Sequence, residues 1–145
     1  MEEAGRKAYN ALCHLDNATG SLELDPILGD LIRLRASMLN GCAYCVDMHS
    51  KDARAKGESE QRLYAVAAWH EAPFFSPAER AAFALTDALT LLAGNPLPDA
   101  VVAEAEEQLG VEGLAAATWV IVTINAWNRV AIASHSQAGE YEPGE

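Results

Sequence analysis

The stretch Asn40-Gly41-Cys42-Ala43-Tyr44-Cys45-Val46-Asp47-Met48-His49 (NGCAYCVDMH) sets two cysteines three residues apart and a histidine four further on. Asn-Gly interrupts the helical pattern before it and can cap a new helix. On such a helix Cys42, Cys45 and His49 fall within about 60° of one another and share one face. Side chains at i and i+3 carry β-carbons roughly 5–6 Å apart. A disulfide needs about 4 Å, a gap that a small adjustment near a helix start closes. Three readings are open at this point: half of a metal site, three ordinary core residues, or a dithiol built to react.

Reaction requires the thiolate. A free cysteine, with pKa about 8.5, is only a few per cent ionised at neutral pH. Bringing the pKa to about 7 takes roughly 2 kcal/mol of differential stabilisation. A helix N-terminus supplies about 0.3–1 kcal/mol at an exposed site and up to about 2 when partly buried. A histidine that takes the thiol proton supplies the rest. The helix terminus favours Cys42 as the more acidic thiol, and proximity to His49 favours Cys45. We side with Cys45, because a base within reach also moves the proton. Asp47, about 140° from Cys42 on the wheel, is expected to face solvent. A zinc site needs a fourth ligand and usually a second ligand cluster. His14, His70 and His135 stand alone, and there is no second CxxC. Cys13, beside His14, reads as a buried bystander.

Working outward, alanine-rich helical periodicity dominates and strand signals are weak. Ala4, Ala8, Leu12 and Leu15 mark a first helix. Asp25-Pro26 reads as an N-cap with proline at the first helical position, opening a second helix with a stripe of Ile27, Leu31, Leu34 and Met38. Asp30 lies at the edge of that stripe, with Arg33 as a basic neighbour one turn ahead. Gly57 ends the third helix. Ser59 caps a fourth that runs to Trp69-His70. Pro73–Pro77 is a linker whose Phe74-Phe75 pair is expected at a subunit contact. Ser76-Pro77-Ala78-Glu79 is a capping box for a fifth helix reaching about Ala93. Asp99 caps a sixth that Gly110 ends. A last helix, about Glu112 to His135, is apolar on most faces through Ile124 and should be central. Trp69, Trp119 and Trp127 read as core or subunit contacts. The expected class is all-α, with six to seven helices in one domain over residues 1–145 and a frayed polar tail at 137–145.

The 145 residues are half hydrophobic, enough for a core, and carry a net charge of −11. Such a surface repels nucleic acid and anionic membrane. The start, MEEAGRKAYNAL, lacks a basic n-region and an apolar h-region, so no signal peptide is expected. The apolar run Leu114–Ile124 is too short to span a bilayer. Three cysteines, an odd number, without an export signal read as reactive or metal-binding rather than structural. A cytoplasmic location follows as an expectation.

Several segments resemble the alkylhydroperoxidase D-like (AhpD-like) core of the carboxymuconolactone decarboxylase family. They are Leu31–His49 (LIRLRASMLNGCAYCVDMH), Ala53-Arg54 with Gly57, Arg62-Leu63-Tyr64 leading to Ala68-Trp69, and Ile124–Arg129 (INAWNR). The resemblance implies an all-helical fold, thiol-dependent peroxidase or disulfide reductase activity, and a homo-oligomer, commonly a trimer or hexamer. It implies that Cys45 becomes the sulfenic acid, that Cys42 resolves it and that His49 relays protons. Asp30 stands where the family usually has a glutamate, and is expected to orient His49 as a fourth catalytic-site residue. Met38 replaces a residue that is commonly polar, and Tyr44 replaces a second histidine of the best-known peroxidase members. Members with true decarboxylase activity lack the CxxC pair. The expectation is an enzyme that reduces small hydroperoxides through Cys42 and Cys45. It needs no cofactor and is reset by an external dithiol or a protein reductant. The alternatives are a disulfide reductase with poor peroxide turnover, and a non-enzymatic oligomeric binding protein with a metal at Cys42, Cys45 and His49.

Overall fold

The computed structural model describes residues 5–144, and among these there is no strand. The order is α1 (Arg6–Thr19), α2 (Pro26–Asn40), α3 (Ala43–Ala55), α4 (Glu60–Ala65), α5 (Pro77–Thr90) and α6 (Asp99–Ala133), with a 3-10 turn, Val66–Ala68, after α4. The class is all-α, as expected. Ala4 of the expected first helix lies outside the described residues.

Local chemistry explains most helix ends. Asp25 accepts from the Leu28 N–H at 2.9 Å, with Pro26 at the first helical position. Ser59 accepts from the Arg62 N–H, and Ser76 and Glu79 form the reciprocal capping box. Gly41 closes α2 at φ 69°, ψ 30°, a left-handed conformation that an L side chain adopts at a cost. Gly110, at φ 74° and ψ 172°, breaks α6 into segments 99–109 and 111–133, as the sequence indicated. Three ends differ from expectation. The fourth helix tightens to 3-10 geometry at Val66, short of Trp69, α5 stops at Thr90 rather than Ala93, and Asp99 is the first residue of α6, with Pro98 at the N-cap and no side-chain cap bond.

The helix after Asp25 is wrapped on nearly every side. Leu28 and Ile32 pack with Leu85, Ala117, Val120 and Ile121. Leu31 and Leu34 pack with Leu63, Val66, Trp69, Phe75 and Phe83. Ala36 meets Cys42, Cys45, Ile124 and Ala131. The last helix was expected at the centre, and α2 shares that place with it. By length and composition alone, Asp99–Ala133 could cross a membrane. Its Ala117, Val120, Ile121 and Ile124 are instead buried in the core.

Two polar networks lock α2 to its neighbours. Arg35 Nε and Nη2 donate to the two oxygens of Asp87 at 2.6 and 2.9 Å, and Trp69 Nε1 donates to the same carboxylate at 3.1 Å. Asn40 Nδ2 donates to Asn125 Oδ1 and Asn128 Oδ1 at 3.0 and 2.8 Å, while Asn128 Nδ2 donates to Ser37 Oγ at 3.0 Å. The second network fixes the end of α2 immediately before the cysteines.

The Phe74-Phe75 pair is split. Phe74 is part-exposed, whereas Phe75 is buried edge-on against Phe83, with centroids 5.0 Å apart. Phe75 therefore finds its partner inside its own chain and not across a subunit boundary. Arg80 makes this possible by donating to the carbonyls of Trp69, His70 and Ala72, which fixes the turn that aims Phe75 inward. Residues 137–144 form no helix. The frayed end expected there is in fact tied to α3: the Gly139 N–H donates to Asp47 Oδ2, and Lys51 Nζ donates to Tyr141 O at 2.8 Å.

Candidate dithiol site

The turn at Gly41 sets Cys42 as the N-cap of α3, in extended conformation (φ −84°, ψ 95°), and its Sγ accepts from the Cys45 N–H at 3.3 Å. Cys42 thus stands just outside the helix on which the sequence reading placed it. A sulfur at an N-cap receives the field of the helix terminus. Cys42 and Cys45 form a disulfide, with Cα atoms 5.4 Å apart.

Both sulfurs are buried, yet each borders open space. Cys45 lines a cavity of about 190 Å³ with Tyr9, Cys13 and Asp16 of α1, Tyr44, Met48 and His49 of α3, and Ile124, Trp127 and Ala131 of α6. Tyr9 meets Trp127 edge-on, 5.3 Å between centroids, forming an aromatic wall. Cys42 borders a separate groove of about 410 Å³ with Tyr44, Ile132, His135, Ser136 and Gln137.

His49 stands between the apolar cavity and a polar one of about 320 Å³ that holds Asp30, Arg33, Asp52 and Lys56. Burial, then the charges of Arg33 and Lys56, lower the His49 pKa to about 3. The ring is therefore neutral at neutral pH, and it takes up a proton only where a negative group offsets the burial and the two cations. Its Nδ1 is closed off from solvent without a hydrogen-bond partner, and Asp52 Oδ2 lies 3.8 Å away. Asp30 is almost fully buried. It accepts a short hydrogen bond from Lys56 Nζ and lies 3.9 Å from Arg33 Nη1, the neighbour indicated by sequence. Burial raises the Asp30 pKa, against the pull of Lys56.

Sequence reasoning singled out Cys42, Cys45, His49 and Asp30, and all four border this region. It missed Lys56 as the partner of Asp30, and it missed the contributions of Tyr9 and Trp127. It also missed Asp52, although an acid three residues after His49 on a helix was a readable signal. Cys13, read as a bystander, is half-buried and borders the Cys45 cavity. Asp30, His49 and Asp52 bring their ligand-type atoms within 4.8 Å of one another. Lys56 and Arg33 already meet the negative charge there, so the cluster reads as an ion-pair network.

The profile of the carboxymuconolactone decarboxylase family matches residues 6–88. The uncharacterized protein YdfG of Bacillus subtilis is 35% identical over 136 residues, which is 94% of this chain and 92% of that protein. ATU0492 of Agrobacterium tumefaciens, a protein of unknown function described as a candidate antioxidant defence protein AhpD, superposes with a TM-score of 0.91. It is 36% identical, over 97% of this chain and 96% of that one. The debrominase Bmp8 shares the fold, with TM-score 0.84 and 21% identity over 95% of this chain and 74% of its own. With a family profile across more than half its length and a relative aligned almost end to end, this chain belongs to the carboxymuconolactone decarboxylase family.

Proposed function

We propose that the protein is a thiol-dependent peroxidase that reduces small hydroperoxides through Cys42 and Cys45. The observation that carries this reading is a disulfide-forming pair whose Cys45 opens into an apolar cavity beside a neutral, buried His49. In the reduced enzyme, His49 accepts the Cys45 thiol proton. The thiolate attacks the terminal oxygen of the hydroperoxide, an S–O bond forms and the O–O bond breaks. The departing alkoxide takes the proton back from His49. Cys45 is left as a sulfenic acid. Cys42 condenses with it, releasing water and forming the Cys42–Cys45 disulfide. Two electrons and two protons from an external dithiol or protein reductant reset the pair, in keeping with a reducing cytoplasmic setting. Asp30 acts at one remove, by neutralising Lys56 and Arg33, whose charges would otherwise oppose protonation of the ring. The aromatic wall of Tyr9 and Trp127 favours an organic hydroperoxide, whose apolar body gains by leaving water.

The test is hydroperoxide consumption with a dithiol donor. Cys45→Ser is expected to lower the rate on the order of 100-fold, because Cys45 is the thiol on the cavity that His49 also lines. Equal rates in wild type and variant would remove the reading. A second reading, a protein disulfide reductase with poor peroxide turnover, draws on the open groove beside Cys42, which admits a bulkier thiol. Under it, Cys45→Ser traps a mixed disulfide with a protein partner, while the wild type consumes peroxide barely above background. A metal at Cys42, Cys45 and His49 has less support, because Cys42 borders one groove while Cys45 and His49 share another cavity, and a zinc site needs a fourth ligand.

A further inference from the structure

Asp52 lies one turn beyond His49 on α3, with Oδ2 3.8 Å from the unpartnered Nδ1 of the ring. Its other oxygen accepts a 2.6 Å hydrogen bond from Tyr141 Oη. Tyr141 belongs to the tail that Lys51 and Asp47 fasten to α3. Burial, then the bond to Asp52, push the Tyr141 phenol up, so it remains a hydrogen-bond donor. Asp30, by comparison, is engaged by Lys56 and Arg33. We propose that Asp52 is the positioning carboxylate for His49 and that Tyr141 anchors it, so that the C-terminal tail is part of the dithiol site. This rests on the reading of His49 as the base for Cys45.

The reasoning follows the proton. A buried ring whose neutral form is strongly favoured accepts the Cys45 proton, but it holds that proton only if a negative group meets the new charge. With the transferred proton on Nε2, the Nδ1–H faces Asp52. Shortening 3.8 Å to a charge-assisted bond of about 2.8 Å needs about 1 Å of side-chain motion. Cys45 loses one proton and His49 gains it, while Asp52 and Tyr141 keep their protonation states. Tyr141 holds Asp52 on the His49 side. Without that bond, Asp52 is free to turn to Lys56, four residues on at the C-cap of α3.

Other titratable and charged groups face the ring. Helix α1 brings Tyr9, Cys13 and Asp16, α2 and its cap bring Asp25, Asp30 and Arg33, and α3 and its C-cap bring Tyr44, Cys45 and Lys56. Helix α6 presents only Ile124, Trp127 and Ala131 to the cavity. Among these carboxylates, Asp52 is the nearest ion-pair partner of Nδ1.

The test is the pH dependence of Cys45 alkylation by iodoacetamide in the reduced full chain, located by peptide fragmentation. Asp52→Asn is expected to move the midpoint up by about one pH unit, a tenfold loss of thiolate at a given pH below it. Tyr141→Phe, which leaves the helix intact, is expected to move it the same way by about half as much. Unmoved midpoints in both variants, with wild-type circular dichroism, overturn the proposal. A shift in Asp52→Asn alone removes the tail from the site. If Asp52→Asn does not fold, Tyr141→Phe decides alone. Peroxide turnover by the wild type separately tests the peroxidase reading, because the alkylation profile does not depend on peroxide.

Discussion

His49 concentrates the residue-scale physics. An ordinary imidazole binds a proton near pH 6.5, whereas this one does so only near 3. Between those values the unfolded chain takes up a proton that the folded chain refuses, so stability present above pH 6.5 is lost as the pH falls. His49→Gln keeps the size and removes the titration. The stability of the variant relative to wild type is therefore expected to rise by on the order of 2 kcal/mol between pH 6.5 and 4.5. Urea unfolding at the two pH values checks it, and a constant gap would mean that the ring titrates normally. Asp30, with its raised pKa, works in the opposite direction but is common to both proteins. At this scale the sequence was informative about types and spacing: Cys42, Cys45 and His49 were legible because helical periodicity brings i, i+3 and i+7 together. Lys56 was not, because its bond to Asp30 spans 26 residues of chain.

Helices begin and end for local reasons, which is why Asp25-Pro26, Ser76–Glu79 and Asn40-Gly41 could be read directly. Gly41 carries more than a helix end, since its left-handed turn delivers Cys42 to the N-cap of α3. A β-carbon there would meet nothing within 4 Å, so the cost of Gly41→Ala is conformational and not steric. It is expected at about 1–2 kcal/mol, read as a lower urea midpoint. The same variant is expected to slow Cys42–Cys45 disulfide formation under mild oxidant, because relief of the strain moves Cys42 off the cap. Disulfide formation at the wild-type rate in an equally destabilised variant would separate the turn from the sulfur geometry. The networks that hold this turn were not legible. Asn40 reaches Asn128 across 88 residues and Arg35 reaches Asp87 across 52, and no local pattern encodes such pairings. The 3-10 tightening after α4 was equally hidden, being set by the packing of Val66 and Trp69 against Phe83 rather than by propensity.

For the whole molecule, the question is which apolar surface remains uncovered. Phe75, expected at a subunit boundary, is buried in the chain's own core. Leu91, Leu92, Trp119 and Val122 remain about half exposed, and Leu92 and Val122 line a shallow depression of about 440 Å³ between α5 and α6. A patch of this kind supports the expected self-association. The wild type is expected to sediment as a multiple of 15.5 kDa, and Trp119→Asp to shift it toward the monomer at micromolar concentration. A wild-type monomer would contradict this. The sequence conveyed the amount of apolar surface but not its distribution, because a helix that is apolar on most faces does not reveal which face its neighbours leave bare.

The packing of Trp127 beside the Cys42–Cys45 pair and against Tyr9 has a practical consequence. Sulfur close to an excited indole drains its emission, and a disulfide does so differently from two thiols. Trp69 and Trp119 lie in other surroundings, one held by Asp87 and the other part-exposed to solvent. The protein thus carries a built-in optical gauge, and the redox state of the pair can be followed as a change in intrinsic brightness without added dye.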